Sequence, residues 1–379
     1  MSFLSKRHVS VKNKYISKTV KSITDTQILN KDNYKFTINN NPVTLDYIGK
    51  GAQGMVYKLK LPKCNDIALK ISTIHEHEEE LLKYHHNLVV TNKCPHFLLI
   101  YNIIEARNKN FIFMEKISYN MNKWLKENHT DQEWLSFLFQ FLIAIYVMKT
   151  YSKTFHGDLK PINIFVLNLT DMYFNVKKYF HYKITINDQV HDYYVPHCYN
   201  LCVIGDFGRA KSNLFEYHNE NENKDKINPK INDDVTRHLN NNDDLRHIYD
   251  IVNIIKVSYI TSNYNLRSLV KFMKGRGDEK IGPYVKSQKL RIKTDPRNYE
   301  SHMRKYMLLK YVADFVIENN YYDKLAYPNM DYKLPSAFIQ SIIKNNFNGS
   351  KNPEDIILEI FTNYKKINNI NEIVDTYIL

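Results

Sequence analysis

Three of the ten glycines in this 379-residue chain fall within six positions, in the run Gly49-Lys50-Gly51-Ala52-Gln53-Gly54. Glycine is otherwise scarce, about a third of its usual share of roughly 7%, so each one marks a backbone position that needs it. Apolar residues precede the run at Val43, Leu45, Tyr47 and Ile48, and others follow from Met55 to Leu61. A glycine run of this spacing that opens a helix would suit a dinucleotide-binding fold. Here Met55-Val56-Tyr57-Lys58-Leu59 reads as a strand. The run therefore joins two strands as a hairpin lid, with backbone N–H groups able to approach phosphate closely.

The patterning changes character near residue 115. Before it, strands are predicted over Val43–Gly49, Met55–Leu61, Ile67–Ile71, Phe97–Ile104 and Phe111–Met114, with one helical stretch over His75–Val90. After it, helices are predicted over Met121–Glu127, Gln132–Tyr151, Asp244–Tyr259, Ser301–Asn319, Ser336–Asn345 and Pro353–Tyr364. A small sheet-rich lobe followed by a larger helical lobe is an α+β fold. The expected division is a basic extension over 1–40, an N-lobe over 41–117 and a C-lobe over 118–379. Asn213–Asn242, rich in Asn, Asp, Glu and Lys, reads as a mobile loop.

Bulk properties narrow the class. With 43% hydrophobic and 25% charged residues, the chain can bury a full core. Cys64, Cys94, Cys198 and Cys202 show no paired spacing, which disfavours a zinc site or disulfide framework and suggests a reducing, intracellular compartment. Met1–Val9 lacks the apolar core of a secretory signal. The longest uncharged run, Trp134–Met148, has 15 residues. It is too short to span a bilayer and reads as a buried core helix. The net charge of +13 permits acidic protein partners, nucleic acid or anionic membrane. No nucleic-acid motif accompanies it.

Chemistry concentrates at four places. Lys70 ends the apolar strand Ile67-Ala68-Leu69-Lys70, where an unpaired ammonium would be costly to bury. A helix carboxylate is its expected partner. Glu78 is the first candidate, because Leu81, Leu82, His85, Leu88 and Val89 follow it on one stripe; Glu79 is the second. The run His156-Gly157-Asp158-Leu159-Lys160-Pro161-Ile162-Asn163 sets Asp and Asn five apart. This spacing resembles that of the protein-kinase catalytic loop, and the resemblance implies that Asp158 would accept the proton of a substrate hydroxyl, Lys160 would steady a transferring phosphoryl group, and Asn163 would hold a metal ion. In Val203-Ile204-Gly205-Asp206-Phe207-Gly208, an apolar strand delivers Asp206 to a turn where it can bind Mg²⁺.

Taken together and in this order, the four motifs resemble the eukaryotic-type protein kinase family over residues 43–365. The resemblance implies a two-lobed kinase fold, ATP and Mg²⁺ as cofactors, and transfer of the γ-phosphoryl group to protein hydroxyls. Lys160 is the pattern of the Ser/Thr enzymes. By the same resemblance Gly49, Gly51, Gly54, Val56 and Ala68 contact ATP along with Lys70. Met114 is the gatekeeper, and Glu115, Lys116 and Ile117 form the adenine hinge. Asp244 braces the catalytic loop, and His156 belongs to a hydrophobic spine.

Three departures stand out. Gly157 occupies the position of an arginine that reads a phosphate on the activation loop, which implies activity without loop phosphorylation. Asn163 and Asp206 are 43 residues apart, far more than the family's usual interval. The insert reads as a β-hairpin within 168–200, turning at Asn187-Asp188. No clear A-P-E follows, and Asn228-Pro229-Lys230 lacks its acid. This combination resembles the divergent Ser/Thr kinases of large DNA viruses, which would put the protein in the host cytoplasm or the virion. Competing readings are a small-molecule kinase and a pseudokinase scaffold. Lys70, Asp158, Asn163 and Asp206, all present, weigh against the scaffold.

Overall fold

Alternating apolar side chains commit the first part of the chain to strands. The structure, a computed structural model, describes residues 28–29, 35–38, 41–50, 54–61, 64–73, 77–106, 108–117, 119–170, 178–215, 229–275, 278–294, 301–319 and 332–379. Strands β1 (Ile28–Leu29), β2 (Lys35–Ile38), β3 (Asn41–Lys50), β4 (Gly54–Leu61) and β5 (Cys64–Thr73) precede helix α1 (Glu78–Val90). Strands β6 (Ile100–Ala106) and β7 (Lys109–Glu115) follow it. The seven strands form one antiparallel sheet in the order β1-β2-β3-β4-β5-β7-β6. In β5, Ile67 through Ser72 are all buried, so both faces of this central strand are covered.

Two sequence expectations shift here. The sheet reaches back into 1–40, where β1 and β2 lie; the rest of that basic extension is outside the described residues. The strand expected from Phe97 starts at Ile100, and Phe97 instead makes an isolated parallel bridge to Ile204.

Helix α2 (Met121–Trp124) is a single turn, shorter than expected. Helix α3 (Asp131–Thr150) starts at a capping box. The Glu133 N–H donates to Thr130 Oγ1 at 3.2 Å, and the Thr130 N–H donates to Glu133 Oε2 at 2.7 Å. Of the described helices, α3 alone is long and apolar enough to cross a membrane. It is apolar on nearly every side because it is enclosed by the protein. Its one central amide, Gln140, is satisfied by Cys202 N–H, Ser136 Oγ and the Asn200 carbonyl.

Strand β8 (Thr154–Phe155) leads to the loop containing Asp158, and β9 (Ile164–Asn168) leaves it. The inserted hairpin is β10 (Tyr179–Ile186) and β11 (Gln189–Pro196), turning at Asn187-Asp188 as the sequence suggested. Strand β12 (Asn200–Ile204) then runs antiparallel to β9 with Ile204 opposite Ile164. That register brings Asn163 and Gly205 together, and the Gly205 N–H donates to the Asn163 carbonyl at 3.2 Å. Strand β13 (Lys211–Ser212) pairs with β8.

Asn213–Asn242 is not all loop. Helix α4 (Pro229–Asn240) occupies its second half, anchored by fully buried Val235 and by His238 stacked on Phe155 at 4.1 Å. Polar composition concealed it, although proline at a first helical position is a start signal. Asn228 lies outside the described residues. The remaining helices are α5 (Asp243–Asn263), α6 (Leu266–Gly275), α7 (Ile281–Thr294), α8 (Ser301–Glu318), α9 (Ala337–Asn346) and α10 (Pro353–Ile360). The C-terminal strand β14 (Ile373–Ile378) pairs parallel to β10, which completes a sheet in the order β11-β10-β14.

The chain divides into two compact units. One draws on Met1–Trp124, His129–His247 and Pro335–Leu379, and the other on Leu125–Asn128 and Ile248–Leu334. The second unit has its own core, where Ile260, Leu269, Met273, Ile281, Val312 and Val316 are buried. All the chemistry described below lies in the first. The architecture is mixed α+β, with a β-rich N-terminal region and a helical C-terminal region.

Candidate functional site

Strands β4, β5 and β7 present one row of candidate residues. Val56 lies opposite Lys70 and Ala68 lies opposite Met114, so the four share a face of the sheet. Gly54 stands where β4 crosses closest to β5: a Cβ there would lie 2.3 Å from the Ile71 carbonyl oxygen. Gly49, next to the last residue of β3, has open surroundings, and Gly51 lies outside the described residues. The Glu115 carboxylate accepts the Leu99 N–H at 2.9 Å, while Lys116 and Ile117 follow half-buried.

Lys70 is the junction. Its Nζ donates to Glu78 Oε1 at 2.7 Å and to Asp206 Oδ1 at 2.8 Å. Burial opposes the charge on Lys70, but the two carboxylates outweigh it and hold the ammonium above its ordinary pKa. Burial likewise opposes ionisation of Asp206, and Lys70 overcomes it and keeps that carboxyl below its ordinary value. Glu78 sits on the buried stripe of α1, with no protein partner for its buried Oε2. Glu79 faces outward and pairs with Lys83.

The loop after β8 is held by its own polar groups. Lys160 Nζ donates to Asp158 Oδ2 at 2.8 Å. Asn163 Nδ2 donates to the Asp158 carbonyl at 2.9 Å and reaches Oδ2 at 3.3 Å. Beneath, Asp244 accepts the N–H groups of His156 and Gly157 at 2.7 and 3.4 Å. Burial pushes Asp244 up to about 7, against the pull of those two amides. His156 Nε2 donates to the Gly205 carbonyl at 3.1 Å, tying this loop to the turn that carries Asp206.

That turn is strained in a defined way: Asp206 adopts φ 63° and ψ 66°, the left-handed region. The conformation sends Phe207 inward, where it meets the rings of His85 and His156. The described residues contain no group of three or more His, Cys, Asp or Glu side chains suited to a metal ion. Asp206 and Asn163 are one carboxylate and one amide, a donor set that suits a hard cation taking its other oxygens from a bound anion.

Some participants were not legible beforehand. His77, at the start of α1, stacks on Phe215 at 4.9 Å with planes only 10° apart. No local pattern signals that contact. Asn92, just past α1, bonds to β14. The six residues Ile373-Val374-Asp375-Thr376-Tyr377-Ile378 do not alternate, so no local pattern marks that strand either. No protein-family model matches the chain, and no curated protein does.

Proposed function

We propose that the chain is a Ser/Thr protein kinase that transfers the γ-phosphoryl group of ATP to protein hydroxyls. One observation carries the reading: Lys70, on a central strand, bridges Glu78 of a helix and Asp206 of a distant turn. An ordinary structural lysine would need only one partner. A lysine shared by a buried helix carboxylate and a half-buried turn carboxylate is poised to hand the latter over. In this reading Asp206 keeps 36% of its side chain open and turns toward a cation, while Lys70 and Glu78 remain paired.

The residues fit Mg²⁺ and ATP. Asp206 and the oxygen side of the Asn163 amide would hold the metal, since the Asn163 nitrogen is committed to Asp158. Bound Mg²⁺ would neutralise charge on the phosphates. Lys70 would bind phosphate oxygens, and Val56, Ala68 and Met114 would cover the base. Asp158 has Oδ2 occupied by Lys160, which leaves Oδ1 to take the proton of the incoming hydroxyl. Lys160, 53% exposed, can swing to the transferring phosphoryl group without losing its tether.

Phosphorylation of the segment after Asp206 is not required in this proposal. Gly157 offers no cation to read such a phosphate, and the His77–Phe215 stack links that segment to α1 without one. Protein substrates with acidic surfaces suit the net charge of +13.

Radiolabelled ATP with a panel of protein substrates tests the reading. Wild-type protein should label Ser and Thr, and Asp158→Asn should lose transfer by about a hundredfold or more. Equal labelling by both proteins would overturn it. Label appearing on a metabolite and on no protein would favour a small-molecule kinase.

A further inference from the structure

Helix α1 carries Glu78 at its first residue and His85 at its centre, so its placement governs both the ion pair and the ring stack. Its far end is tied in an unusual way. The helix closes at Asn92, which adopts φ 58° and donates its N–H to the Val89 carbonyl. With the backbone so arranged, Asn92 Nδ2 reaches the C-terminal strand. It donates to the Thr376 carbonyl at 2.8 Å and reaches Asp375 Oδ1 at 3.3 Å.

The strand it reaches is not a loose tail. Strand β14 runs parallel to β10 from Tyr179 to Lys183, and Tyr377 is fully buried. The Leu379 N–H donates to the Lys183 carbonyl at 2.8 Å, and the Thr185 N–H donates back to the Leu379 carbonyl at 2.9 Å. The same sheet grips the chain again four residues beyond Asn92. His96 is fully buried, and its Nδ1 donates to the Cys202 carbonyl at 2.8 Å. That fixes the tautomer and leaves Nε2 to accept the Tyr182 hydroxyl of β10 at 2.9 Å. The segment between α1 and β6 is thus fastened at Asn92 to β14 and at His96 to β10.

We infer that the sheet β11-β10-β14 is a built-in brace for α1, and that Asn92 is the positioning residue through which the C-terminal strand holds the Lys70–Glu78 pair in register. The inference rests on the proposed kinase reading, in which that pair must be formed for transfer. It gives the inserted hairpin and the chain's last residues one shared role, and it accounts for a paired α1 with no contribution from a phosphate.

Point variants at Asn92 test the brace. Asn92→Gly keeps the left-handed backbone and deletes the side-chain bonds. Asn92→Asp keeps the shape but sets an acceptor against the Thr376 carbonyl and Asp375. Removal of Ile373–Leu379 is the coarser test and risks unfolding, because Tyr377 is core. Hydrogen exchange of the α1 amides is the primary readout. Both point variants should exchange these amides about fivefold to tenfold faster, the equilibrium weight of one net hydrogen bond, with the β10 and β11 amides unchanged. The kcat for transfer should fall by a similar factor while KM for the protein substrate holds. Unchanged α1 exchange in both variants would overturn the brace. If wild-type protein transfers nothing, the kinase reading falls, and exchange alone still decides the brace.

Discussion

His85 and Phe207 stack with ring centroids 4.5 Å apart and planes inclined by 29°. One ring comes from the middle of α1 and the other from the turn that carries Asp206. Phe97 lies 4.3 Å from His85, and His156 lies 4.9 Å from Phe207. Four rings from four segments therefore pack in series behind the site. The two carboxylates around Lys70 are coupled by packing as well as by charge, because each is attached to an element that this stack holds.

Both imidazoles in the stack are buried and neutral. Burial pushes His85 down to about 3 and His156 down to about 4. In the unfolded chain each takes a proton near its ordinary value of about 6.5. The folded values are depressed, so this contribution to stability is complete above the unfolded value and is lost as pH falls toward the folded ones. Acidification to about pH 4 should cost ~3 kcal/mol for His85 alone. His85→Phe keeps a ring in the stack and removes the titration. Urea midpoints measured across this window should fall less for the variant than for the wild type; parallel curves would refute the assignment.

Lys70 and Glu78 are both buried, so their single substitutions should differ in kind. Lys70→Met leaves the Glu78 carboxylate buried without its cation, a situation that costs about 3–5 kcal/mol. Glu78→Gln retains an acceptor for Lys70 and should cost much less. Phosphoryl transfer should fall by at least ~100-fold for Lys70→Met and by about tenfold for Glu78→Gln. The double variant should be more stable than the sum of the singles predicts, since it removes both charges together. Thermal unfolding and kcat/KM on the four proteins measure this directly.

Legibility from sequence followed the range of the interactions. Strands β4 and β5 were readable because a short apolar run is a local signal, and α3 because Trp134–Met148 is a long uncharged run. The inserted hairpin announced itself through Asn187-Asp188. Periodicity also separated Glu78, on the stripe with Leu81 and Leu82, from Glu79, which pairs outward with Lys83. Strand β14 was missed because its partner β10 is remote in sequence and six residues carry little pattern alone. Helix α4 was missed because its described residues bury one valine and are held mainly by polar contacts and a ring stack to distant segments, which leave no apolar stripe in a polar sequence. The Phe215 and Asn92 contacts depend wholly on tertiary placement.

Gly157 is the next test. Its φ is +73°, and a Cβ would lie 3.2 Å from the Arg209 carbonyl oxygen and 3.3 Å from the Phe155 ring. Gly157→Arg, which supplies the residue usual in the resembled family, should therefore lower stability by about 1–2 kcal/mol through backbone strain. It should not raise activity. Phosphatase treatment of the wild type should leave transfer unchanged. Loss of activity on treatment, restored by phosphate on the segment after Asp206, would reverse this view.

The hairpin turn allows a stabilising change to be predicted. Asn187 and Asp188 adopt φ 51° and 59°, and they join Ile186 to Gln189 as a two-residue loop. Positive φ at both central residues is a type I′ turn, whose preferred pair is Asn-Gly. Asn187 already matches, and Asp188 pays the left-handed strain that glycine avoids. Asp188→Gly should raise stability by up to ~1 kcal/mol, and Asp188→Val should lower it by about 1–2 kcal/mol. Both residues are exposed at the tip of the hairpin and neither belongs to the candidate site, so transfer rates should not change in either variant. Because β14 pairs with β10, the glycine variant should also slow exchange of the β14 amides. Urea midpoints together with β14 exchange provide the measurement, and a lower midpoint for Asp188→Gly would contradict the turn assignment.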